Sequence, residues 1–210
     1  METKNIRVFF SKTGRAIYIS HLDLYRLFQR AIKRAKLPVW ETEGFNPHIY
    51  LTFALPLALG TAGLCESLDT KLTADIGTDE LIQRFNAALP RDIRVLSADA
   101  PVRKSTEIAV SEYDADFVCD YTLFDEFLAS EHIPAEKKTK RGIAELDLKQ
   151  HLKVLEYGKG HLRFTLPSGS EFNINAGLLF SAFEKYSGTE VDTLHITRTA
   201  IRCADGEEFR

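Results

Sequence analysis

The sequence predicts an α+β protein built from two tandem ferredoxin-like (βαββαβ) units, with antiparallel sheets and helices packed on one face. Over residues 1–100, patterns typical of strands and helices follow in the order β-α-β-β-α-β. A similar order recurs over residues 101–210, although the two halves show no sequence repeat. Hydrophobic residues make up 44% of the chain and charged residues 27%, as in soluble globular proteins. We therefore expect one unit in each half and no segment that crosses a membrane.

The first unit opens with a strand and a well-marked helix. Residues 6–11 are rich in β-branched and aromatic side chains, which favour a strand. Residues 20–23, Ser-His-Leu-Asp, have the form of a capping box in which the Asp23 carboxylate accepts from the Ser20 amide. A helix should begin there and run to about Lys36, because Pro38 cannot continue it. Apolar residues at steps of three or four form its expected buried stripe: Leu22, Tyr25, Phe28, Ile32 and Ala35.

The other elements follow from the same patterns. In the first half, strands are predicted at residues 39–42, 49–54, 67–72 and 92–96, and a second helix begins at Thr78 or Asp79 and ends before Pro90. Residues 97–107 are small and polar and include Pro101, so they predict a linker between the units. In the second half, strands are predicted at residues 115–121, 143–148, 152–156, 161–166 and 194–201, with helices at 123–128 and 176–186.

Composition and missing motifs exclude several classes of function. The three cysteines are widely separated and form no Cys-x-x-Cys pair, which excludes a clustered Cys site and makes this chain alone a poor host for an iron–sulfur cluster. Such sparse cysteines favour a reducing cytoplasm. The sequence has neither a glycine-rich phosphate loop nor a Gly-x-Ser-x-Gly elbow. Its histidines show no spacing typical of metal ligands. We therefore expect no cofactor and no metal.

Positive charge is concentrated in two places, although the whole chain has a net charge of −3. Residues 1–60 contain nine Lys and Arg against four Asp and Glu, and the first helix contributes Arg26, Arg30, Lys33 and Arg34. A second run, Lys-Lys-Thr-Lys-Arg, occupies residues 137–141. Each of these two basic regions can be an ordinary solvated surface, which for the second region would be a loop. Alternatively, each can contact phosphate groups or an acidic partner.

Two further features are candidates for a site. His21 stands at the first position of a helix, where a histidine can contact an anion or act as a general acid or base. Residues 43–48, Glu-Gly-Phe-Asn-Pro-His, contain more turn-forming residues than an ordinary hairpin requires, which is typical of a loop that presents side chains. Phe45 in this loop either packs in the core, which we expect, or stacks on a base.

Residues 7–15, 19–26, 43–48 and 53–60 together resemble the radical SAM-linked protein family, also called DUF2344, and residues 138–148 resemble its later motif. The matching positions in the first part of the chain are Ser11, Gly14, Arg15, His21, Asp23, Arg26, Gly44, Phe45, Asn46, Pro47 and Gly60. The resemblance implies a bacterial protein encoded beside a radical SAM protein or fused to one, often near a ribonuclease of the RNase G type. It implies no catalytic residue.

Three hypotheses for the function remain open. The first is a non-catalytic adaptor that binds RNA or a ribonucleoprotein substrate for a partner radical SAM enzyme. The second is a protein-interaction module that docks the radical SAM subunit without touching nucleic acid. The third is a metal-independent endoribonuclease with His21 as a general base and Arg15 or Arg26 as the anion-stabilising group. The candidate binding residues are Arg15, His21, Arg26, Arg30, Lys33, Asn46, His48, Lys138, Lys140 and Arg141.

Overall fold

The computed structural model describes residues 3–139 and 142–210, without the side chains of Lys138, Thr139 and Thr193. The chain divides into two compact units. The first unit ends at Glu107 and also includes Glu208–Arg210, and the second comprises Ile108–Glu207. The protein is mixed α+β, and the described residues form four α-helices and antiparallel strand pairings within each unit. Within these ranges, none of the helices has the length and apolar character needed to cross a membrane.

The first unit has the element order β-α-β-β-α-β. Its elements are β1 (Lys4–Lys12), a 3-10 helix (Gly14–Tyr18), α1 (His21–Arg34), β2 (Leu51–Phe53), β3 (Ala62–Leu72), α2 (Thr78–Ala88) and β4 (Ile93–Asp99). The strands lie in the order β4-β1-β3-β2, and each neighbouring pair is antiparallel. Both helices bury apolar side chains against one face of this sheet, where Phe28 of α1 packs on Phe10 of β1 at a ring-centroid distance of 4.8 Å.

Helix α1 begins where the capping pattern predicts. The Ser20 Oγ accepts a hydrogen bond from the Asp23 amide at 3.1 Å, which satisfies one of the free amides of the first turn. The Asp23 carboxylate accepts from the Ser20 hydroxyl at 2.7 Å, not from the Ser20 amide that the capping box predicts. Asp is one methylene shorter than the usual Glu, and the hydroxyl is the nearer donor. The helix ends at Arg34, ahead of Pro38.

Four predictions for the first unit need correction. The strand expected over residues 39–42 is reduced to isolated bridges at Val39 and Glu41. Strand β3 begins at Ala62, five residues earlier than the alternation indicates, and β4 continues to Asp99, into the expected linker. Both extensions pair with β1, whose own length permits the longer ladders. The N-cap of α2 is Gly77, one residue before the predicted position.

The second unit repeats the order with a hairpin inserted. Its elements are β5 (Ile108–Val118), α3 (Tyr121–Ala129), β6 (Pro134–Thr139), β7 (Gly142–Asp147), β8 (Lys153–Gly158), β9 (His161–Pro167), α4 (Gly177–Ser187) and β10 (Asp192–Cys203). The main strands lie in the order β10-β5-β9-β8, while β6 and β7 pair separately. Phe124 of α3 and Phe183 of α4 meet in the core at a centroid distance of 4.9 Å. No strand is predicted at β6, because the like charges from Lys137 onward are typical of a solvated loop or a phosphate-contacting arm.

Candidate functional site

The 3-10 helix before α1 is held in place by Asp92, at the start of β4. The Asp92 carbonyl accepts from the Thr13 amide at 2.9 Å, and its carboxylate accepts from the Arg15 amide at 3.0 Å. Gly14 lies between these two bonds with a φ of +50°, and a Cβ there would lie 2.9 Å from the Asp92 carboxyl carbon. This close approach requires glycine. The backbone from which Arg15 projects is therefore fixed on both sides.

The same segment is joined to the bend before β3 through one carbonyl. The Ile17 carbonyl accepts from the Lys12 Nζ at 3.2 Å and from the Gly60 amide at 2.9 Å. Lys12 is buried, so this contact places a charged donor beneath the surface of the first unit. Gly60 has a φ of +82°, which the bend requires. As a result, Leu59 lies beside the 3-10 helix.

Three apolar side chains are exposed around this junction. Tyr18 is 74% exposed, Leu59 66% and Leu22 57%. The prediction that Leu22 belongs to the buried stripe of α1 is wrong. The buried residues of this helix are Leu24, Phe28, Ala31 and Ile32, and a helical rotation of 100° per residue then turns Leu22 outward. We call Tyr18, Leu22 and Leu59 the apolar patch.

Next to this patch, the outward side of α1 carries a row of cations. Arg26, Arg30 and Lys33 are all exposed, and their spacing of four and three residues places them on one side of the helix. We call these three residues the cationic face. Leu22 continues the same row one turn earlier. Arg34 is directed elsewhere, because its guanidinium donates to the Ala88 carbonyl at 2.6 Å.

The cations of this surface are largely available to a ligand. Arg26 has an ion pair with Asp23 at 3.5 Å, and both side chains are more than half exposed, so the pair is weak. In the part of the chain that the structure describes, the side chains of Arg15, Arg30 and Lys33 have no carboxylate within ion-pair distance. The positive charge predicted from the sequence is thus not cancelled by internal acids.

His21 lies on the side of α1 that faces the sheet, away from the cationic face, with its ring 5.2 Å from the ring of Phe53 in an edge-to-face arrangement. Within residues 3–139 and 142–210 the structure gives the imidazole no hydrogen-bond partner. A general base needs a neighbouring group that orients it or a nucleophile that it activates. Neither accompanies His21 among the described contacts.

The loop at residues 43–48 is closed by His48. The His48 amide donates to the Thr42 Oγ1 at 3.1 Å, and the His48 Nδ1 lies 2.9 Å from that same oxygen and 3.1 Å from the Asn46 carbonyl oxygen. His48 therefore shapes the turn. Phe45 at the tip is fully exposed, so the expectation that it packs in the core is wrong. With no apolar element opposite the tip, its ring stays in solvent.

The described contacts do not join this loop to α1. No hydrogen bond, ion pair or ring contact described for residues 43–48 involves residues 15–34. Of the predicted site residues, the structure places Arg26, Arg30 and Lys33 together on the outer side of α1, while Arg15 lies in the preceding 3-10 helix and His21 lies at the first residue of α1. Asn46 and His48 form a separate exposed loop.

The second basic run is described only in part. Lys138 lies in β6, where its backbone pairs with Ile143, and nothing is described of its side chain. Lys140 and Arg141 lie outside the described residues. Lys137, earlier in the same strand, places its Nζ 4.9 Å from the ring centroid of Phe172. The first part of this run therefore belongs to a strand and not to a loop.

Comparisons with known proteins identify a family and little else. A family model described as an uncharacterized protein conserved in bacteria (DUF2344) matches residues 5–176. No curated protein matches the sequence. A crystal structure described as an unknown protein from Galdieria sulphuraria is 14% identical, with 94% of this chain and 99% of that chain covered and a TM-score of 0.29. Similarity at that TM-score supports no argument about fold or function.

Proposed function

This chain belongs to the DUF2344 family of bacterial proteins, and from that premise we propose that it is a non-catalytic adaptor that binds RNA or a ribonucleoprotein substrate. The observation that carries the proposal is the cationic face of Arg26, Arg30 and Lys33, exposed and nearly free of acidic partners. Exposed cations in a row are suited to the phosphates of a nucleic-acid backbone, because each contact releases condensed counterions. The partner to which the RNA is presented, a radical SAM enzyme, comes from the family resemblance.

The neighbouring aromatic ring favours a single strand over a duplex. Tyr18 is 74% exposed and stands one short turn before α1, beside Arg15. An exposed ring next to cations is the arrangement with which proteins stack unpaired bases while holding the backbone. The bases of a duplex are already stacked on one another and offer no free face to such a ring. The substrate is accordingly single-stranded RNA or an unpaired segment of a ribonucleoprotein.

Charge reversal on α1 tests the proposal. Fluorescence anisotropy with a labelled single-stranded RNA should show binding at about 50 mM salt, where electrostatic contacts are strong. The variant R26E/R30E should bind roughly tenfold more weakly or worse, since it replaces two phosphate contacts by repulsion. The matched control is K153E/K159E, which reverses two exposed lysines of the second unit. Absence of binding at low salt, or an equal loss in the control, contradicts the proposal.

The apolar patch favours a second candidate, a module that docks the radical SAM subunit without contacting nucleic acid. Tyr18, Leu22 and Leu59 are large and exposed, and the hydrogen bond from the Gly60 amide to the Ile17 carbonyl joins the segment of Leu59 to that of Tyr18. An apolar patch with a polar rim is typical of protein interfaces. Co-purification with a radical SAM protein encoded beside this one should then fail for L22D/L59D. In that case R26E/R30E should leave the complex intact, which distinguishes docking from RNA binding.

We also infer that both units are ferredoxin-like and that the protein acts in the cytoplasm. In each unit the four main strands follow the chain order one to four and lie in the sheet as 4-1-3-2, with antiparallel neighbours. That arrangement is expected for the βαββαβ motif. The hairpin of β6 and β7 is then an insertion in the second unit. Three free cysteines support a reducing compartment.

A further inference from the structure

Two adjacent strands of the second unit bring together three potential metal ligands. Asp114 and Asp116 are two residues apart on β5, so their side chains lie on the same side of the sheet. His161 begins β9, directly opposite Asp116 in the antiparallel register. The buried neighbours Ala115 and Leu162 point to the opposite, core side. Paired strands therefore fix the positions of all three side chains.

Two of the three donor separations in this group are those found between neighbouring ligands of one metal ion. The His161 Nδ1 lies 3.4 Å from the Asp114 Oδ1 and 3.1 Å from the Asp116 Oδ1. All three donor groups lie within 4.8 Å of one another. For an ion about 2.1 Å from each donor, the separations of 3.1 and 3.4 Å correspond to ligand–metal–ligand angles of roughly 95° and 108°. Such angles are close to those of octahedral and tetrahedral coordination.

The charges around the group leave a negative surplus. His161 faces two carboxylates, and one imidazolium can neutralise only one of them. Arg163, which lies opposite Asp114, forms its ion pair with Glu156 at 3.2 Å. On the other side of β5, the register places the exposed His195 directly opposite Asp116. A second imidazole is thus available on the same face, next to the carboxylates.

We propose that Asp114, Asp116 and His161 bind one divalent first-row transition metal ion. Two carboxylates with an imidazole suit Zn²⁺, Mn²⁺ or Co²⁺ better than Mg²⁺ or Ca²⁺, which prefer ligand shells made of oxygen alone. Three protein ligands leave at least one position open. The side chains are one-third to three-quarters exposed, so water can occupy that position.

The same unit contains a matched control. The His132 Nδ1 lies 2.8 Å from the Asp147 Oδ2, but among the described residues no second carboxylate joins this pair to form a three-ligand group. If a His–Asp pair alone were enough to bind the ion, H132Q would weaken binding. If the three-residue group binds it, H132Q has no effect.

The test is a calorimetric titration of the full chain with Zn²⁺, repeated with Co²⁺ and followed by visible absorption. We expect one saturable site, lost in D114N and H161Q and retained in H132Q. D116N is a further test variant, because Asp116 is 73% exposed and its isosteric replacement should leave the fold intact. Thermal unfolding without metal checks that each variant is folded. The proposal is overturned by no saturable binding, by unchanged binding in the three test variants, or by thiolate charge-transfer bands with Co²⁺, which would assign the metal to a cysteine.

Discussion

Arg7 is a charged side chain held inside the first unit by four hydrogen bonds and a ring contact, and it is only 2% exposed. Its guanidinium donates to both carboxylate oxygens of Asp69, at 2.7 and 2.8 Å, and to the carbonyls of Arg103 and Arg210. The ring of Phe209 lies 4.2 Å from its central carbon. A buried charge is tolerated because every side of it is occupied by an acceptor or a ring. This one residue connects Phe209 and Arg210 to β1.

Removing the partner of Arg7 should destabilise the protein strongly. D69A leaves a buried guanidinium without its carboxylate, which costs about 3 kcal/mol of unfolding free energy. The double variant R7M/D69L should recover much of that loss, since an apolar pair of similar volume needs no neutralisation. Urea denaturation of the three proteins measures both effects. A D69A variant as stable as the wild type would show that the pair contributes nothing.

Asp147 provides a pH-dependent contribution to stability. Hydrogen bonds from His132 and from the Ile133 amide lower the pKa of Asp147 to about 2, from an ordinary 3.8. A carboxylate with a lowered pKa stabilises the folded state above its unfolded pKa, and this contribution disappears as the pH falls through about 2.

The variant D147N should therefore be less stable than the wild type at neutral pH. The difference should shrink as the pH falls from 4 towards 2, because the wild-type carboxylate then becomes protonated. Unfolding free energies measured across that range test this. A difference that stays constant with pH would mean that Asp147 acts through packing alone.

Among the helices and strands, α1 determines which side chains are exposed at the candidate site of the first unit. Its inward side places Phe28 against Phe10 and Phe85, at centroid distances of 4.8 and 6.3 Å. Its outward side consequently presents Leu22 with the cationic face. The capping pattern in the sequence predicts the start of this helix, and the spacing of Arg26, Arg30 and Lys33 predicts that the cations share one side. It did not distinguish Leu22 from Leu24 as the buried residue, because both fit a stripe of ordinary width.

The rotation of α1 can be tested by truncating one residue on each side. F28A removes a fully buried ring and should cost about 3–5 kcal/mol. L22A removes an exposed side chain and should change stability by about 0.5 kcal/mol or less. Chemical denaturation of both variants gives the comparison. Similar costs for the two would place Leu22 in the core after all.

For the whole molecule, the order of helices and strands could be predicted from the sequence. The contacts between residues far apart in the sequence could not. Alternation and caps indicate single strands and helices, so the repeated order could be inferred from the chain. The cluster of Asp114 and His161 depends on the register of two strands, which no spacing in the sequence encodes. The exposure of Tyr18, Leu59 and Phe45 likewise has no local signal, because an isolated apolar residue is usually buried.

The distribution of charge is also a property of the whole molecule. The chain is acidic overall, yet residues 1–60 carry an excess of positive charge, and the structure concentrates much of it on one side of α1. A surface of this kind attracts a polyanion locally without making the protein basic as a whole. RNA binding is therefore expected to depend on contacts at the cationic face and not on net charge.

The salt dependence of RNA binding shows whether the cationic face contacts the phosphates. For a single strand, the logarithm of affinity falls with the logarithm of salt concentration by about 0.7 for each phosphate neutralised. Replacing Arg26, Arg30 and Lys33 by Gln should make that slope shallower by about 2 in anisotropy titrations, because three contacts are lost. An unchanged slope in the triple variant, with RNA still bound, would show that the RNA contacts a different surface.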